Sequence, residues 1–332
     1  MNDTLKTVVA KLNKEHGENT LRFASEFVDI DRLSSGSVFL DWALGKNQKD
    51  IAGWAMGRVI ELYGHESSGK SLISMRTIIE AQKKGWQCAY LDIENSFDKK
   101  FAELLGVDTS KLLITRETGA EKTIDLACQL LKDYPDIKVI VFDSVASMIP
   151  KVEIEASLED QQMASVARVM SKGLRKLLHF NKNNAILIFI NQIRENPGAS
   201  KYANPEYQPG GKALKFYAST RAEIRRGDYI YKDEEKKKDK IGQIVKFKIV
   251  KNKTDVPLRE GYFKFYYTGE VDSVDEIVSL GLMQEIITRS GAFYYFNKNT
   301  FKGREKMETA LKKDEKLFNE LKKEVFSKEA VK

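Results

Sequence analysis

Hydrophobic and polar positions change their period along the chain, and these changes predict the order of helices and strands. Between residues 59 and 192, short apolar runs alternate with stretches of helical periodicity. The predicted strands are 59–64, 88–94, 138–144 and 185–192, and the predicted helices are 70–84, 120–134 and 160–180. The runs are apolar at successive positions, so both faces of each strand should be buried, as in a parallel sheet with helices on both sides. The pattern therefore predicts an α/β fold with a mostly parallel, twisted sheet.

The regions before and after residues 59–192 have other patterns of hydrophobic and polar positions. Residues 4–16 carry apolar side chains at helical spacing and predict an amphipathic helix, either packed locally or docked elsewhere as an arm. Three later segments are typical of antiparallel strands that extend the sheet, with the charged residues 232–240 as a hairpin tip. These segments are 221–226, 243–253 and 261–269.

The last part of the chain predicts a small α/β appendage. Residues 273–283 have helical periodicity, and 292–297 read as a short strand. A Lys/Glu-rich helix is predicted from Lys306 onward. Residues 297–332 hold 11 basic and 7 acidic side chains, so this tail has a net charge of 11 − 7 = +4.

Composition excludes several classes of protein. The 332 residues include 42% hydrophobic ones, enough for a core, so a wholly disordered chain is excluded. Two cysteines, Cys88 and Cys128, cannot form a disulfide framework, and three scattered histidines disfavour a histidine-rich metal site. No apolar run approaches the roughly 18 residues of a membrane span, and no signal-peptide pattern is present, so we expect a cytoplasmic protein with no membrane association. The net charge of +7 is a weak sign of an anionic partner.

The strongest chemical signal is GHESSGKS at residues 64–71, which has the G-x-x-x-x-G-K-[ST] spacing of a phosphate loop. It lies between a predicted strand and a predicted helix, where backbone N–H groups and the helix N-terminus can face a phosphate. Lys70 would reach the β- and γ-phosphates of ATP, and the Ser71 hydroxyl would hold Mg²⁺. A structural glycine-rich turn is the alternative. The residues of this segment assigned to the nucleotide are Gly64, Glu66, Ser67, Ser68, Gly69, Lys70, Ser71 and Leu72.

Polar residues at the ends of three later strands are expected to lie beside this loop, since parallel strands share a carboxyl edge. Asp143 would hold the Mg²⁺ hydration shell together with Ser71. Glu94 could activate the water that attacks the γ-phosphate, although Asp92, on the same face of its strand, competes for this role. Gln192 is placed to sense the γ-phosphate.

The loop after Gln192, residues 193–211, is long and rich in Gly, Pro and Asn. Such loops often carry function. Its basic and aromatic residues, with Lys212 directly behind it, suit single-stranded nucleic acid. An ordinary surface loop is the alternative.

Five segments together resemble the RecA-type DNA recombinases of bacteria and bacteriophages, in order and spacing, and the resemblance runs from about residue 3 to beyond 320. They are GHESSGKS, LDIENSFD, VIVFDSVAS, IFINQIR and GGKALKFYASTR. The resemblance implies that Glu94 is the catalytic glutamate and that Gln192 couples the γ-phosphate to a DNA loop. It implies that Asp98 and Phe101 hold the adenine, although tyrosine is more usual at the second position.

The resemblance also implies contacts across a subunit interface. Lys251 and Lys253 match a lysine pair that reaches the neighbouring subunit's nucleotide, and two cations there would stabilise transition-state charge. Exposed strand lysines without this role are the alternative. Phe216 matches a subunit-contact residue.

Two segments resemble DNA-binding loops of this family. In the first, residues 153–163, Met163 stands where an apolar wedge separates bases. Arg168, which follows this segment, is also expected to bind DNA. A helix core position is the alternative for Met163. In the second, Pro197 replaces the usual aliphatic wedge, which leaves the identity of that wedge open. The DNA-binding residues expected from this second segment are Arg194, Lys201, Gly210, Gly211 and Lys212.

The resemblance implies three parts: an oligomerisation helix and linker (1–30), a RecA-like phosphate-loop ATPase core (31–269) and a small C-terminal domain (270–332). We expect an ATP-dependent recombination protein that forms helical filaments on single-stranded DNA, pairs it with duplex DNA and hydrolyses ATP. Single-strand-binding and mediator proteins are further expected partners. A ring-forming helicase with the same core and a DNA-coating filament with little turnover are the alternatives.

Overall fold

A computed structural model of the protein describes residues 3–18, 20–26, 29–157, 165–195, 206–233 and 235–328. The chain divides into two compact units, one ending at Asp31 and the other beginning at Arg32. The first unit contains helix α1 (Asp3–His16) and a 3₁₀ turn at Ala24–Glu26. Helix α1 confirms the amphipathic helix that the sequence predicts, and its Leu5 and Val8 are exposed.

The second unit alternates helices and strands in the predicted order. Its helices are α2 (Val38–Leu44), α3 (Lys70–Lys83), α4 (Lys99–Leu105), α5 (Ala120–Asp133), α6 (Lys151–Glu155), α7 (Ser165–Phe180), α8 (Ala213–Tyr217), α9 (Ser273–Met283), α10 (Arg304–Lys313) and α11 (Glu315–Ser327). Its strands are β1 (Arg32–Leu33), β2 (Trp54–Ala55), β3 (Val59–Gly64), β4 (Gln87–Asp92), β5 (Leu112–Thr115), β6 (Ile137–Asp143), β7 (Ile186–Gln192), β8 (Arg194–Glu195), β9 (Glu206–Tyr207), β10 (Thr220–Asp233), β11 (Lys238–Asn252), β12 (Glu260–Tyr266), β13 (Thr288–Ser290), β14 (Phe293–Phe296) and β15 (Asn299–Lys302).

Eight strands form the main sheet in the order β12-β11-β10-β3-β7-β6-β4-β5. The strands from β3 to β5 in this order are parallel, which confirms the predicted α/β architecture. The segment around 221–226 is predicted to be an antiparallel strand. In the structure it belongs to β10, which pairs antiparallel with β11 but parallel with β3, so the prediction is wrong for the pairing with β3. The connection from β7 to β10 is long enough to bring the chain back to the end of the sheet where β7 began, so that β10 can run in the same direction. Antiparallel pairing begins with β11 and continues with β12.

Alternate residues of the central strands enter two separate cores, which explains why these strands are apolar at successive positions. Val139 and Val141 of β6 face the core that contains Cys88 and the apolar side of α3. Ile140 and Phe142 face the core beneath α5 and α7, which contains Cys128. Both cysteines are buried and free of disulfide bonds.

The hairpin of β10 and β11 is longer than predicted. Paired backbone continues to Asp233 and resumes at Lys238, so strand residues occupy much of the segment expected to be a hairpin tip. The predicted helix 160–180 begins at Ser165 within the described residues.

The C-terminal part packs α9, α10 and α11 around a three-stranded antiparallel sheet, β13-β14-β15. The single tail helix expected from Lys306 is wrong, since two helices meet at Asp314. The Asp314 carboxylate accepts a hydrogen bond from the backbone N–H of Leu317 at 3.0 Å and so starts a new helix. Within the described parts of the chain, none of the helices has the length and apolar character needed to span a membrane.

Candidate nucleotide and DNA site

The phosphate loop joins β3 to α3 at the centre of the sheet. Ser67 and Gly69 have positive φ angles of 56° and 103°, which turn the backbone around the mouth of the loop. Gly64 has a different constraint: a Cβ atom there would lie 2.0 Å from the carbonyl oxygen of Ile224. Glycine at 64 therefore lets the loop start close against β10.

Lys70 begins α3, and its side chain folds back over the loop. Its Nζ donates hydrogen bonds to the carbonyl oxygens of Gly64 and His65, at 3.1 and 2.7 Å. Burial lowers the pKa of Lys70, and the nearby carboxylates of Asp143, Glu94 and Glu66 oppose that shift.

The loop has the properties of an anion site. The hydroxyl of Ser68 is buried and has no hydrogen-bond partner among the residues that the structure describes. Gly69 at the N-cap offers no side-chain hydrogen bond to the 14-residue helix α3, so the first N–H groups of this helix are available to an anion at the loop. An unpaired buried hydroxyl, a helix N-terminus and a buried amine together fit a bound phosphate group.

Asp143 ends β6 beside this loop. Its carboxylate accepts hydrogen bonds from the Ser71 hydroxyl, at 2.8 Å, and from the Tyr90 hydroxyl. Burial raises the pKa of Asp143, whereas these two hydrogen bonds and Lys70 favour its charged form. Mg²⁺ is commonly held by one or two protein oxygens together with substrate phosphates, so the Ser71–Asp143 pair fits that ion.

Glu94 follows β4, and its carboxylate is held at the ends of two neighbouring strands. Its Oε1 accepts hydrogen bonds from Gln192 Nε2 at 2.7 Å, from Ser147 Oγ at 3.3 Å and from Ser144 Oγ. Glu94 is exposed, so its second oxygen can meet a water molecule.

Asp92, the competing candidate, has a different environment. It is fully buried, and its carboxylate accepts the backbone N–H groups of Ser96 and Phe97 at 2.9 and 3.1 Å. Asp92 therefore shapes the turn that ends β4. This turn also explains why the strand stops at Asp92 instead of reaching Glu94.

Asp98 and Phe101 lie at the start of α4. The exposed Asp98 is the N-cap of this helix and accepts N–H groups of Lys100 and Phe101, at 2.8 and 3.1 Å. The Phe101 ring is half-buried and packs edge-on against Phe265, with ring centroids 6.2 Å apart. Both residues thus have a local structural role besides the adenine contact that the resemblance implies.

Lys251 and Lys253 form a second group, around α8. Lys251 Nζ donates to the carbonyl oxygens of Lys215 and Phe216 at 2.7 and 3.1 Å, and Lys253 Nζ donates to that of Phe216 at 3.4 Å. Partial burial, and secondarily the charges of Lys253 and Arg221, lower the pKa of Lys251. The two cations hold the segment that presents Phe216, whose side chain is 70% exposed.

The DNA-binding candidates lie around the next loop. Arg168 on α7 and Arg194 on β8 are exposed. Gly210 and Gly211 have positive φ angles and pack so closely on Val145 and Ala167 that added Cβ atoms would lie 2.7 and 2.6 Å from those side chains. Lys212 precedes α8 and is exposed. Met163 and Lys201 lie outside the described residues.

Sequence reasoning missed a buried polar cluster behind this site, made by Glu61, Asn191 and Arg221. A carboxylate inside the apolar run VIELYG was the available signal, because a buried charge requires a partner. The partner could not be identified without the pairing of β3 with β10.

A parallel sheet whose central strand leads through a glycine-rich loop into a helix, with carboxylates at the adjacent strand ends, defines the phosphate-loop class of nucleotide-binding proteins. Residues 3–272 match the RecA N-terminal domain, and residues 275–329 match the RecA C-terminal domain. The chain therefore belongs to the RecA family of recombinases.

Relatives of similar length support this assignment. The chain is 40% identical over 321 residues to Protein RecA of Mycoplasma mycoides subsp. mycoides SC, covering 96% of this chain and 90% of that protein. It is 40% identical over 323 residues to Protein RecA of Rickettsia prowazekii, covering 96% and 92%. Protein RecA of Rickettsia bellii is 40% identical over 324 residues, covering 96% and 91%. Similarity along nearly the whole chain favours a recombinase over a ring-forming helicase or a passive DNA coat.

Proposed function

We propose that this recombinase is a DNA-dependent ATPase that forms a filament on single-stranded DNA and exchanges strands with homologous duplex DNA. The observation that carries the proposal is the 2.7 Å hydrogen bond between Glu94 and Gln192. Glu94 is the candidate base for hydrolysis, and Gln192 begins the candidate DNA loop. A single contact therefore joins the chemistry of ATP to the binding of DNA. Because strand exchange requires access to DNA in the cell, the proposed function places the protein in the cytoplasm.

The chain's own residues would divide the reaction among them. The N–H groups of the phosphate loop and the ammonium of Lys70 would bind and orient the β- and γ-phosphates. Mg²⁺ held by Ser71 and Asp143 would neutralise phosphate charge when bound. Glu94 would accept a proton from the attacking water, and Gln192 would orient that carboxylate. Asp98 and Phe101 would contact the adenine.

Assembly would complete the site. Lys251 and Lys253 lie beside the exposed Phe216, so a neighbouring subunit that covers Phe216 would also meet the two cations. Cations there would stabilise charge that develops on the γ-phosphate of that neighbour. Hydrolysis would then depend on filament formation. The N-terminal helix, in residues 1–30, would supply the other half of the contact, and residues 31–269 and 270–332 would form the core and the C-terminal domain.

DNA would lie along the two loops. Arg168, Arg194 and Lys212 are exposed cations at the described ends of these loops and would contact phosphates. Gly210 and Gly211 allow the backbone to turn against α7 at the point where DNA would pass. Met163 and Lys201 complete the proposed set.

Two substitutions test the proposed reaction. We expect Lys70→Ala to abolish nucleotide binding or turnover, because the amine is central to the phosphate cradle. We expect Glu94→Gln to reduce DNA-stimulated ATP hydrolysis by about 100-fold or more while ATP-dependent DNA binding persists. The measurements are ATP turnover with and without single-stranded DNA, and joint-molecule formation between circular single-stranded and linear duplex DNA.

A matched control is Glu103→Gln, which makes the same chemical change at an exposed α4 residue whose described side-chain partners are Lys99 and Thr109. This control should behave like the unmodified protein. Normal hydrolysis by Glu94→Gln would remove Glu94 from the role of base. Absence of joint molecules under every nucleotide condition would contradict strand exchange.

A further inference from the structure

Glu61 is a fully buried carboxylate in β3, the strand that leads into the phosphate loop. In the parallel pairing of β3 with β10 it stands opposite Arg221. On its other side, β3 pairs with β7, in which Asn191 is opposite Tyr63. Glu61 therefore lies at the centre of three neighbouring strands, three residues before the loop that binds phosphate.

Both carboxylate oxygens of Glu61 are engaged. Oε2 accepts a hydrogen bond from Arg221 Nε at 2.5 Å, and Oε1 accepts one from Asn191 Nδ2 at 3.0 Å. The Arg221 guanidinium also covers the ring of Tyr63, 4.8 Å from its centroid. A buried ion pair is tolerated only when such additional partners satisfy it.

The two partners of Glu61 extend to the returning end of the candidate DNA loop. Asn191 Nδ2 donates to the carbonyl oxygen of Pro209 at 3.1 Å, and Arg221 Nη2 donates to Gln208 Oε1 at 2.8 Å. Gln208 and Pro209 directly follow β9, which pairs with β8 to form the stem of this loop.

The same cluster reaches the departing end of the loop. Asn191 precedes Gln192, and its Oδ1 accepts the backbone N–H of Gln192 at 3.0 Å. The Gln192 side chain contacts Glu94. The Glu61 carboxylate thus holds two side chains, Asn191 and Arg221. Asn191 positions Gln192, which contacts the candidate base, and both side chains bind the segment 208–209, where the loop returns to the sheet.

We propose that Glu61 is a positioning residue that couples DNA binding to ATP hydrolysis by fixing both ends of the loop 193–211 relative to Gln192. This inference rests on the proposed function and adds to it a buried relay that touches neither ATP nor DNA. Coupling between two sites requires an element whose arrangement both sites bias, and the proposal assigns this role to the stem of β8 and β9.

Glu61→Gln tests the relay with little change of shape. Glutamine can still accept from Asn191, but Arg221 loses its charged partner and the stem loses its fixed anchor. We expect the ratio of DNA-stimulated to DNA-free ATP turnover to fall by about tenfold. Nucleotide affinity without DNA should stay within about threefold, because the hydrogen bonds described for the Glu61 carboxylate go to Asn191 and Arg221 and not to the phosphate loop.

The matched control is Glu223→Gln. Glu223 lies two residues after Arg221 on the same strand, and its described partner is Arg225, at the surface. This variant should keep the full DNA stimulation. If Glu223→Gln loses as much stimulation as Glu61→Gln, the proposal is overturned, because the loss would then result from removing any carboxylate on β3 or β10 and would not be specific to Glu61.

Arg221→Lys provides a second variant in case Glu61→Gln does not fold. Lysine keeps the charge beside Glu61 but lacks the planar fork that joins Glu61 to Gln208. In each background, Tyr207→Trp places a fluorescent reporter in the loop stem. We expect the emission change on adding single-stranded DNA to require a non-hydrolysable ATP analogue in the parent, and to lose that requirement in Arg221→Lys.

Full DNA stimulation in either folded variant, with an unaltered reporter response, would overturn the relay. Failure of the proposed function gives a different result: the unmodified chain would itself show no DNA stimulation of ATP turnover.

Discussion

At the scale of single residues, Glu276 shows how a buried carboxyl group ties two parts of the molecule together. This α9 carboxylate is 1% exposed and accepts hydrogen bonds from Ser37 Oγ at 2.5 Å and Phe39 N at 2.7 Å, at the start of α2. Burial raises its pKa to about 8; Asp41 adds to the rise, and the two hydrogen bonds and Arg76 oppose it. Its Oε1 has no partner among the described residues.

The raised pKa predicts that the protein becomes less stable as the pH rises from about 5 to about 8. In that window the folded state keeps the proton that the unfolded state has released, so the free energy of unfolding falls with rising pH and levels off above about 8. Asp41, whose pKa burial raises to about 6, adds a contribution of the same sign at lower pH.

Glu276→Gln mimics the protonated form and should flatten this dependence between pH 6 and 8. Above pH 8 we expect the variant to be more stable than the parent by on the order of 5 kcal/mol, measured by urea unfolding across pH. Glu305→Gln, an exposed change on α10, is the control and should leave the profile unchanged. Parallel profiles for parent and Glu276→Gln would show that Glu276 is ionised in both states.

At the scale of elements, the sequence predicts those whose burial is visible in their own residues. The strands β3, β6 and β7 are apolar at most successive positions because both faces are covered, and their short length identifies them as strands. The edge strand β5 was missed because its Leu113 and Ile114 are about half exposed, and its four residues are too few for a period to appear. The five-residue helix α8 was missed for the same reason of length.

The candidate site follows the same division. Asp143 and Gln192 end apolar strands and Glu94 follows one by two residues, and the carboxyl ends of parallel strands converge, so their proximity could be predicted. The partnership of Glu61 with Arg221 spans 160 residues of sequence and depends on β10 running parallel to β3. Side-chain pairs between strands follow register, and register across a long connection is not encoded in any local pattern.

The break between α10 and α11 is an element boundary that one side chain sets. We expect Asp314→Ala to lower the free energy of unfolding by about 1 kcal/mol, because Leu317 N–H loses its cap. Asp314→Asn should recover most of that loss, since asparagine caps equally well. Urea unfolding of the three proteins is the measurement, with the neighbouring exposed Glu315→Ala as control. Equal stability of the Ala and Asn variants would show that the cap does not define the boundary.

At the scale of the whole molecule, apolar side chains are exposed in both compact units. Leu5 and Val8 of α1 are 53% and 46% exposed, and Phe216 is 70% exposed. Exposed apolar side chains of this size are expected at surfaces that a partner covers. A repeating contact between unlike surfaces of identical subunits produces a closed ring when its rotation closes and an open helical polymer when it does not.

We therefore expect Leu5→Asp combined with Val8→Asp to prevent long assemblies on single-stranded DNA while the thermal unfolding midpoint stays the same. The charges would have to be buried when a neighbour binds, but they cost nothing in the isolated chain. Sedimentation velocity with DNA and a non-hydrolysable ATP analogue measures assembly size. Thr4→Asp adds a charge beside Leu5 and should assemble normally. Long assemblies of the double variant would exclude this face of α1 from the filament contact.

The two cysteines lie in the cores on opposite faces of the main sheet, so the alkylation rate of each cysteine reports how often its own core opens. Burial raises the pKa of Cys88 to about 12 and also raises that of Cys128, so neither thiol presents a reactive thiolate while its core is closed. Alkylation of each cysteine, followed by mass spectrometry, should therefore time the opening of one face independently of the other. If one face loosens first, as local unfolding allows, the two labelling rates will differ; if the sheet opens as a unit, they will be the same.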